Sequence, residues 1–138
     1  MRRIVLDASA ALAGAIEEAR STDVRRMMRG IDEGDALLVP VIWRFEVGNG
    51  FLMAVRRRQI EVQDARRALE TLGAYPILTD GDGPGIAWSS TFDLAEKYRL
   101  TLYDAAYLEL AQRENAELAT LDGRLAEAAT AAGVRLAL

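Results

Sequence analysis

Short runs of aliphatic and β-branched residues alternate along this chain with segments whose apolar positions recur at helical spacing. RRIVLD is the first such run and reads as a buried strand ending in Asp7. The alanine-rich ASAALAGAIEEA that follows predicts a helix. STDVRRMMRGIDEG opens on Ser21 as N-cap and continues as a helix to near Gly34. ALLVP (Ala36 to Pro40) is a second short strand, and Pro40 marks a strand-to-helix junction. VIWRFEVGNGFLMAVRRRQ continues as a helix with Val41, Phe45 and Leu52 along one side. Gly48 and Gly50 each cost that helix about 1 kcal/mol relative to alanine, which implies close packing there or open space beside Glu46. EVQDARRALETLG is an amphipathic helix ending at Gly73. YPILT is a third strand and DGDGPG a loop. IAWSSTFDLAEKYRL and TLYDAAYLELAQREN are two helices. AELATLD is a strand ending in Asp122, GRLAEAATAAG a helix, and VRLAL a last strand. This alternation predicts an α/β fold in which a parallel sheet is covered by helices on both faces. No linker or repeat interrupts it, so residues 1–138 read as one domain.

Composition narrows the chemistry by what it lacks. The chain has 138 residues, 51% hydrophobic and 28% charged, an ordinary globular balance. Cysteine is absent, which removes disulfides and thiolate chemistry. Histidine is absent too, which removes imidazole acid–base catalysis and most zinc sites. Lys97 is the single lysine, and there is no GxxxxGK[ST] phosphate loop. No apolar run approaches the roughly 20 residues of a membrane span. The start, MRRIVLDASAALAG, superficially has the shape of a signal peptide, but Asp7 interrupts its apolar stretch. A cytoplasmic location with no membrane partner is the default expectation. With a net charge of −4, any RNA binding must use a local arginine surface or metal ions.

Four acids fall at element ends. Asp7 closes the first strand and Asp122 the LATLD strand. Glu46 sits in the helix after ALLVP, and Asp104 opens a later helix. Ligands of open parallel sheets bind beyond the carboxyl ends of the strands, where all four can converge. Each has an ordinary structural alternative. Asp7 or Ser9 can cap a helix, Asp104 can favour its helix dipole, and Asp122 before Gly123 can be a turn residue. Glu46, on one face with Ile42, Asn49 and Met53, has no capping role. Crowded together, the four repel one another and raise one another's pKa, a penalty that a divalent cation removes. Oxygen-only ligands suit Mg2+ or Mn2+, and such an ion supports in-line phosphodiester hydrolysis without histidine.

IVLDASAALA, VPVIWRFEVGN and LTLYDAAYLELAQRENAELATLDGRLAEAATAAGV resemble the successive motifs of PIN-domain ribonucleases, most of all the VapC toxins of bacterial toxin–antitoxin systems. The resemblance covers essentially the whole chain. It implies a three-layer α/β/α sandwich around a mainly parallel twisted sheet of four to five strands. It assigns the metal-binding, catalytic acids to Asp7, Glu46, Asp104 and Asp122, with Mg2+ or Mn2+ as cofactor and RNA as substrate. Ser9 and Thr120 are the hydroxyl residues near the metal, and Asn49 stands three residues after Glu46. Asp80 and Asp82 in the variable loop are extra ligands only at low odds. Arg44, Arg56, Arg57 and Arg58 are candidate RNA contacts, with Arg25 and Arg26 behind them.

The same resemblance implies a small VapB-like antitoxin lying in a groove beside the site, and a homodimer or a larger toxin–antitoxin assembly. Met27, Met28, Trp43 and Phe51 are candidates either for that groove or for the core. Tyr103 and Tyr107 are candidates for a dimer contact, an RNA contact or the core. Two other functions compete. One is a phospho-acceptor domain, although Ser9 stands where a second aspartate is wanted and Lys97 lies mid-helix. The other is a binding module whose acid cluster is purely structural.

Overall fold

A computed structural model describes residues 1–16 and 20–138. Its centre is a sheet of β1 (Arg3–Leu6), β2 (Ala36–Pro40), β3 (Ile77–Asp80) and β4 (Glu117–Ala119), in the order β3-β2-β1-β4 and parallel throughout. β1 and β2 are buried almost completely because helices cover both faces, so their sequences are continuous apolar runs. β3 is an edge strand and leaves Leu78 exposed.

Helices α1 (Ala8–Ala15) and α2 (Ser21–Arg29) connect β1 to β2, and α3 (Trp43–Arg56) and α4 (Val62–Gly73) connect β2 to β3. The return to β4 runs through α5 (Gly83–Ile86), a π-helical turn at Ala87–Thr91, α6 (Phe92–Tyr98) and α7 (Leu102–Arg113). α8 (Gly123–Ala131) follows β4. Right-handed crossovers place α1–α4 on one face and the return helices on the other. Accordingly α1 packs on α2 and α3, while α7 lies against β1, β2, β4 and α8.

The strand order also fixes where a ligand fits. From β1 the chain moves to β2 and β3 on one side, then comes back to β4 on the other. The strand ends therefore open a crevice between β1 and β4.

Several boundaries differ from the sequence reading. The last three residues of the predicted first helix, 17–19, lie outside the described residues. Arg20, in a left-handed conformation, is the N-cap of α2 in place of Ser21, and the helix stops at Arg29, well short of Gly34. DGDGPG is not all loop: Pro84 sits in the first turn of α5. VRLAL contributes one parallel bridge, Leu136 to Leu118, and the sheet has four strands. Met27, Met28, Trp43 and Phe51 are buried in the core. Val41, Phe45 and Leu52 face outward, while the side of α3 that meets the core is Trp43, Val47, Phe51 and Ala54.

The two glycines of α3 have different causes. A Cβ on Gly50 would stand 2.4 Å from Leu12 Cδ1 and 2.7 Å from Cδ2, so α1 and α3 touch there. A Cβ on Gly48 would meet nothing within 4 Å. Gly48→Ala is expected to raise stability by about 0.5–1 kcal/mol through helix propensity. Gly50→Ala is expected to lower it by about 1 kcal/mol or more, because displacing Leu12 outweighs the same gain. Urea unfolding of the two variants checks the opposite signs.

Candidate functional site

Asp7 follows the apolar β1 directly, and its backbone N–H remains in the ladder, donating to Ala119 O at 3.0 Å. Its side chain is therefore carried into the crevice between β1 and β4 and is only 5% exposed. It does not cap α1. Its Oδ2 instead accepts from Ser9 Oγ and Thr120 Oγ1, both at 2.7 Å. The two hydroxyls accept in turn from backbone amides, Ser9 from Leu121 N–H and Thr120 from Asp122 N–H, each at 3.0 Å. Those amides occupy the hydroxyl lone pairs and point both protons at Asp7. Oδ1 lies outside these two bonds.

Glu46 stands in the first turn of α3 and is half-buried. Its Oε1 accepts from the Tyr107 hydroxyl at 2.6 Å. That bond joins α3 on one face of the sheet to α7 on the other. Tyr107 is fully buried, and the Ala8 amide lies against both its oxygen and the Asp7 carboxyl. Asp104 sits in the first turn of α7, where its backbone N–H donates to Oγ1 of the N-cap Thr101 at 3.1 Å. Asp122 is the N-cap of α8, and its Oδ1 accepts from Arg124 N–H at 2.9 Å and Leu125 N–H at 3.3 Å.

The four acids feel one another. Burial pushes the Asp7 carboxyl up, the Thr120 and Ser9 hydroxyls oppose that, and the charge of Asp122 raises it further. Burial also raises Glu46, against the pull of Tyr107, and the charges of Asp7 and Asp104 add to the rise. Asp104 is raised by burial and then by Asp122 and Asp7. The Tyr107 phenol is driven well above its ordinary range by burial and by Glu46. None of the four acids has a salt bridge among the described residues.

Convergence stops short of contact. Among the described residues no three acids form a ready metal-ligand group. Asp7, Glu46 and Asp122 each have an oxygen that accepts from a protein donor. The donor set is nevertheless carboxylate and hydroxyl oxygen throughout, with mutual repulsion and no basic partner among the described residues, and that chemistry fits a hard divalent cation.

Other candidates stand apart from this group. Asn49 is exposed, and the hydrogen bond to Glu46 comes from Tyr107. Asp80 is held by Arg113 through both oxygens, at 3.0 and 2.6 Å, and the guanidinium lowers its carboxyl. Arg113 also binds Glu109, which is buried. Asp82 is 4.0 Å from the same guanidinium. Arg44 donates to Thr79 and lies 5.8 Å over the Trp43 ring. Arg56, Arg57 and Arg58 are exposed at the far end of α3, about 16 Å along the axis from Glu46 at helical rise. Arg25 donates to Gly14 O, and Arg26 is exposed on α2. The Lys97 ammonium lies 5.3 Å over the Tyr98 ring. Tyr107 is the site residue that sequence reasoning left without a role. Its spacing of three from Asp104 was the available signal, since i and i+3 share a helix face.

An ionised Asp7 opposes folding. While it is protonated in both states, below its ordinary value of 3.8, it costs nothing. The cost grows as pH rises through the interval up to its raised folded value and is complete above it. Asp7→Asn keeps the oxygen that accepts from Ser9 and Thr120 and removes the charge. In chelator-treated buffer the variant is expected to melt above wild type at neutral pH, the gap closing below about pH 4. Thermal unfolding across pH measures this; a variant melting below wild type at neutral pH would contradict it.

The PIN domain family model matches residues 4–131. Ribonuclease VapC3 of Pyrobaculum aerophilum is 31% identical over 125 residues, covering 91% of this chain and 93% of that protein. VapC ribonuclease Mb0985 of Mycobacterium bovis is 30% identical over 131 residues, 90% of this chain and 89% of that protein. Among solved structures, PAE2754 from Pyrobaculum aerophilum superposes with a TM-score of 0.67 at 23% identity, over 92% of this chain and 79% of that one. VapC20 of Mycobacterium tuberculosis, a sarcin-ricin loop cleaving toxin, superposes with a TM-score of 0.65 at 15% identity, over 91% and 94%. Family model, relatives and fold agree: this chain belongs to the PIN domain family, and within it to the VapC-type ribonucleases.

Proposed function

We propose that the protein is a Mg2+- or Mn2+-dependent endoribonuclease toxin whose metal site is Asp7, Glu46, Asp104 and Asp122. One observation carries this reading: Asp7, Glu46 and Asp104 are each raised by burial and by a neighbouring acid's charge, with no basic side chain among the described residues paired to any of the four. A structural cluster would be expected to carry a counter-ion; this one stores repulsion that a cation relieves. A bound divalent ion supplies charge neutralisation at the phosphodiester and lowers the pKa of an attacking water. Asp7 presents the oxygen that Ser9 and Thr120 leave outside their bonds. Asp122 is aimed by the α8 amides, and Thr101 fixes the backbone of Asp104.

The remaining parts of the reading concern partners. The distance of Arg56–Arg58 from Glu46 suits contact with RNA flanking the scissile bond, and Arg44 lies nearer it. The exposed aromatic residues Phe45, Trp88, Phe92 and Tyr103 are where we place a homodimer contact. A VapB-like antitoxin suits the apolar cleft between α1, α2 and α4, edged by Ala11, Val24, Met28, Leu72 and Tyr75. A cytoplasmic site of action follows from an RNA substrate, and among the described residues no helix is long and apolar enough to cross a membrane.

Induced expression of wild type, Asp7→Asn and Asp104→Asn, followed by sequencing of new RNA 5′ ends, tests the assignment. Wild type is expected to generate discrete new ends, and each variant to lose them by 100-fold or more, on the order of 3 kcal/mol in transition-state stabilisation. Purified wild type is expected to lose cleavage in EDTA and to regain it with Mg2+ or Mn2+. An Asp7→Asn protein that cuts at the wild-type rate would overturn the four-acid site.

A further inference from the structure

We infer that Tyr107 is a positioning residue that holds one oxygen of Glu46, so that the carboxylate offers a cation a single oxygen and the site favours Mg2+ over Ca2+. This rests on reading the four acids as a cation site.

The placement of the phenol is the first argument. Tyr107 is 0% exposed, on a helix whose other buried residues are Ala105, Leu108, Glu109, Leu110 and Ala111. Phenylalanine would fill the same space without a polar atom to satisfy. A buried tyrosine hydroxyl requires a partner, and here it is Glu46 Oε1 at 2.6 Å. The other buried polar residue of α7, Glu109, is neutralised by Arg113, so it does not compete for Glu46. The Ala8 amide faces the phenol oxygen from the β1–α1 junction.

The second argument is what the bond withholds. A carboxylate with two free oxygens can chelate a metal through both, a mode that Ca2+ accepts in its six- to eight-fold shells. Mg2+ demands near-octahedral geometry at shorter distances, which a one-oxygen carboxylate satisfies. The Tyr107 bond takes one lone pair of Oε1 and fixes the carboxylate plane, which disfavours chelation through both oxygens, while Oε2 accepts no hydrogen bond among the described residues. A partner that orients a metal ligand in this way is commonly worth 10- to 100-fold in metal affinity.

Calorimetric titration of wild type, Tyr107→Phe and Glu46→Asp with MgCl2 and with CaCl2, in the absence of RNA, tests the inference. Circular dichroism establishes that each variant is folded. Tyr107→Phe is expected to bind Mg2+ about tenfold more weakly, with Ca2+ affinity unchanged or higher, so that the Mg2+ preference falls. Glu46→Asp leaves Tyr107 in the core but shortens the acid by one methylene. It cannot reach the phenol and the crevice together, so the same fall is expected even if Tyr107→Phe does not fold. An Mg2+/Ca2+ preference equal to wild type in the folded variants, whatever their melting temperatures, reduces Tyr107 to a tie between α3 and α7 and overturns the inference. Mg2+ binding that is lost in Asp7→Asn but indifferent to Tyr107→Phe and Glu46→Asp removes the inference alone. Absence of Mg2+ binding by wild type removes it together with the metal reading beneath it.

Discussion

The strand-end architecture depends on a carboxylate that the fold buries without a counter-charge. Asp7 cannot retreat to solvent, because its own N–H is held in the β1–β4 ladder and its carbonyl accepts the first amides of α1. The surroundings answer with dipoles. Leu121 and Asp122 donate their amides to Ser9 and Thr120, and both hydroxyl protons then face the acid. Hydrogen bonds to the charged form lower an acid's pKa, yet the desolvation of Asp7 outweighs them. A buried acid in net deficit is a poor device for stability and a good one for holding a cation.

The fold and the acids were legible in the sequence for a common reason. Parallel strands buried on both faces must be continuous apolar runs, so the polar residue that ends each run marks the carboxyl edge of the sheet. Asp7 ends one run and Asp122 follows another, which is why position along the chain already predicted position in space. The strand order was not legible, because every βα unit has the same pattern whichever neighbour it joins. That order, β3-β2-β1-β4, makes the crevice fall at Asp7 and Thr120.

What the sequence hid lies on α3 and α7. α3 carries two apolar stripes. One contains Phe45 and Leu52, continuing from Val41 just before the helix, the other Trp43, Val47, Phe51 and Ala54. Helical periodicity supports both equally, and only the direction in which the chain leaves β2 selects the second for the core. α7 is the opposite case. It is wedged between the sheet and its neighbouring helices, so its buried positions run almost without interruption from Ala105 to Ala111. With no polar face to set the phase, a tyrosine there reads as packing. Its hydrogen bond becomes visible only when α3, from the other face of the sheet, brings Glu46 within reach.

The four acids are not held alike, and the difference has a physical meaning. Asp7 is fixed by two hydroxyls, Glu46 by a phenol and Asp122 by two amides, each through one oxygen. Asp104 has only the Thr101 hydroxyl beside it, and that hydroxyl already serves the backbone N–H of Asp104 as helix cap. Three of the acids thus have side-chain freedom already spent in folding, and Asp104 keeps rotamers that binding at the proposed site would cost. On the proposed reading, such an arrangement leaves Asp104 free to adjust to a solvated ion and a phosphate.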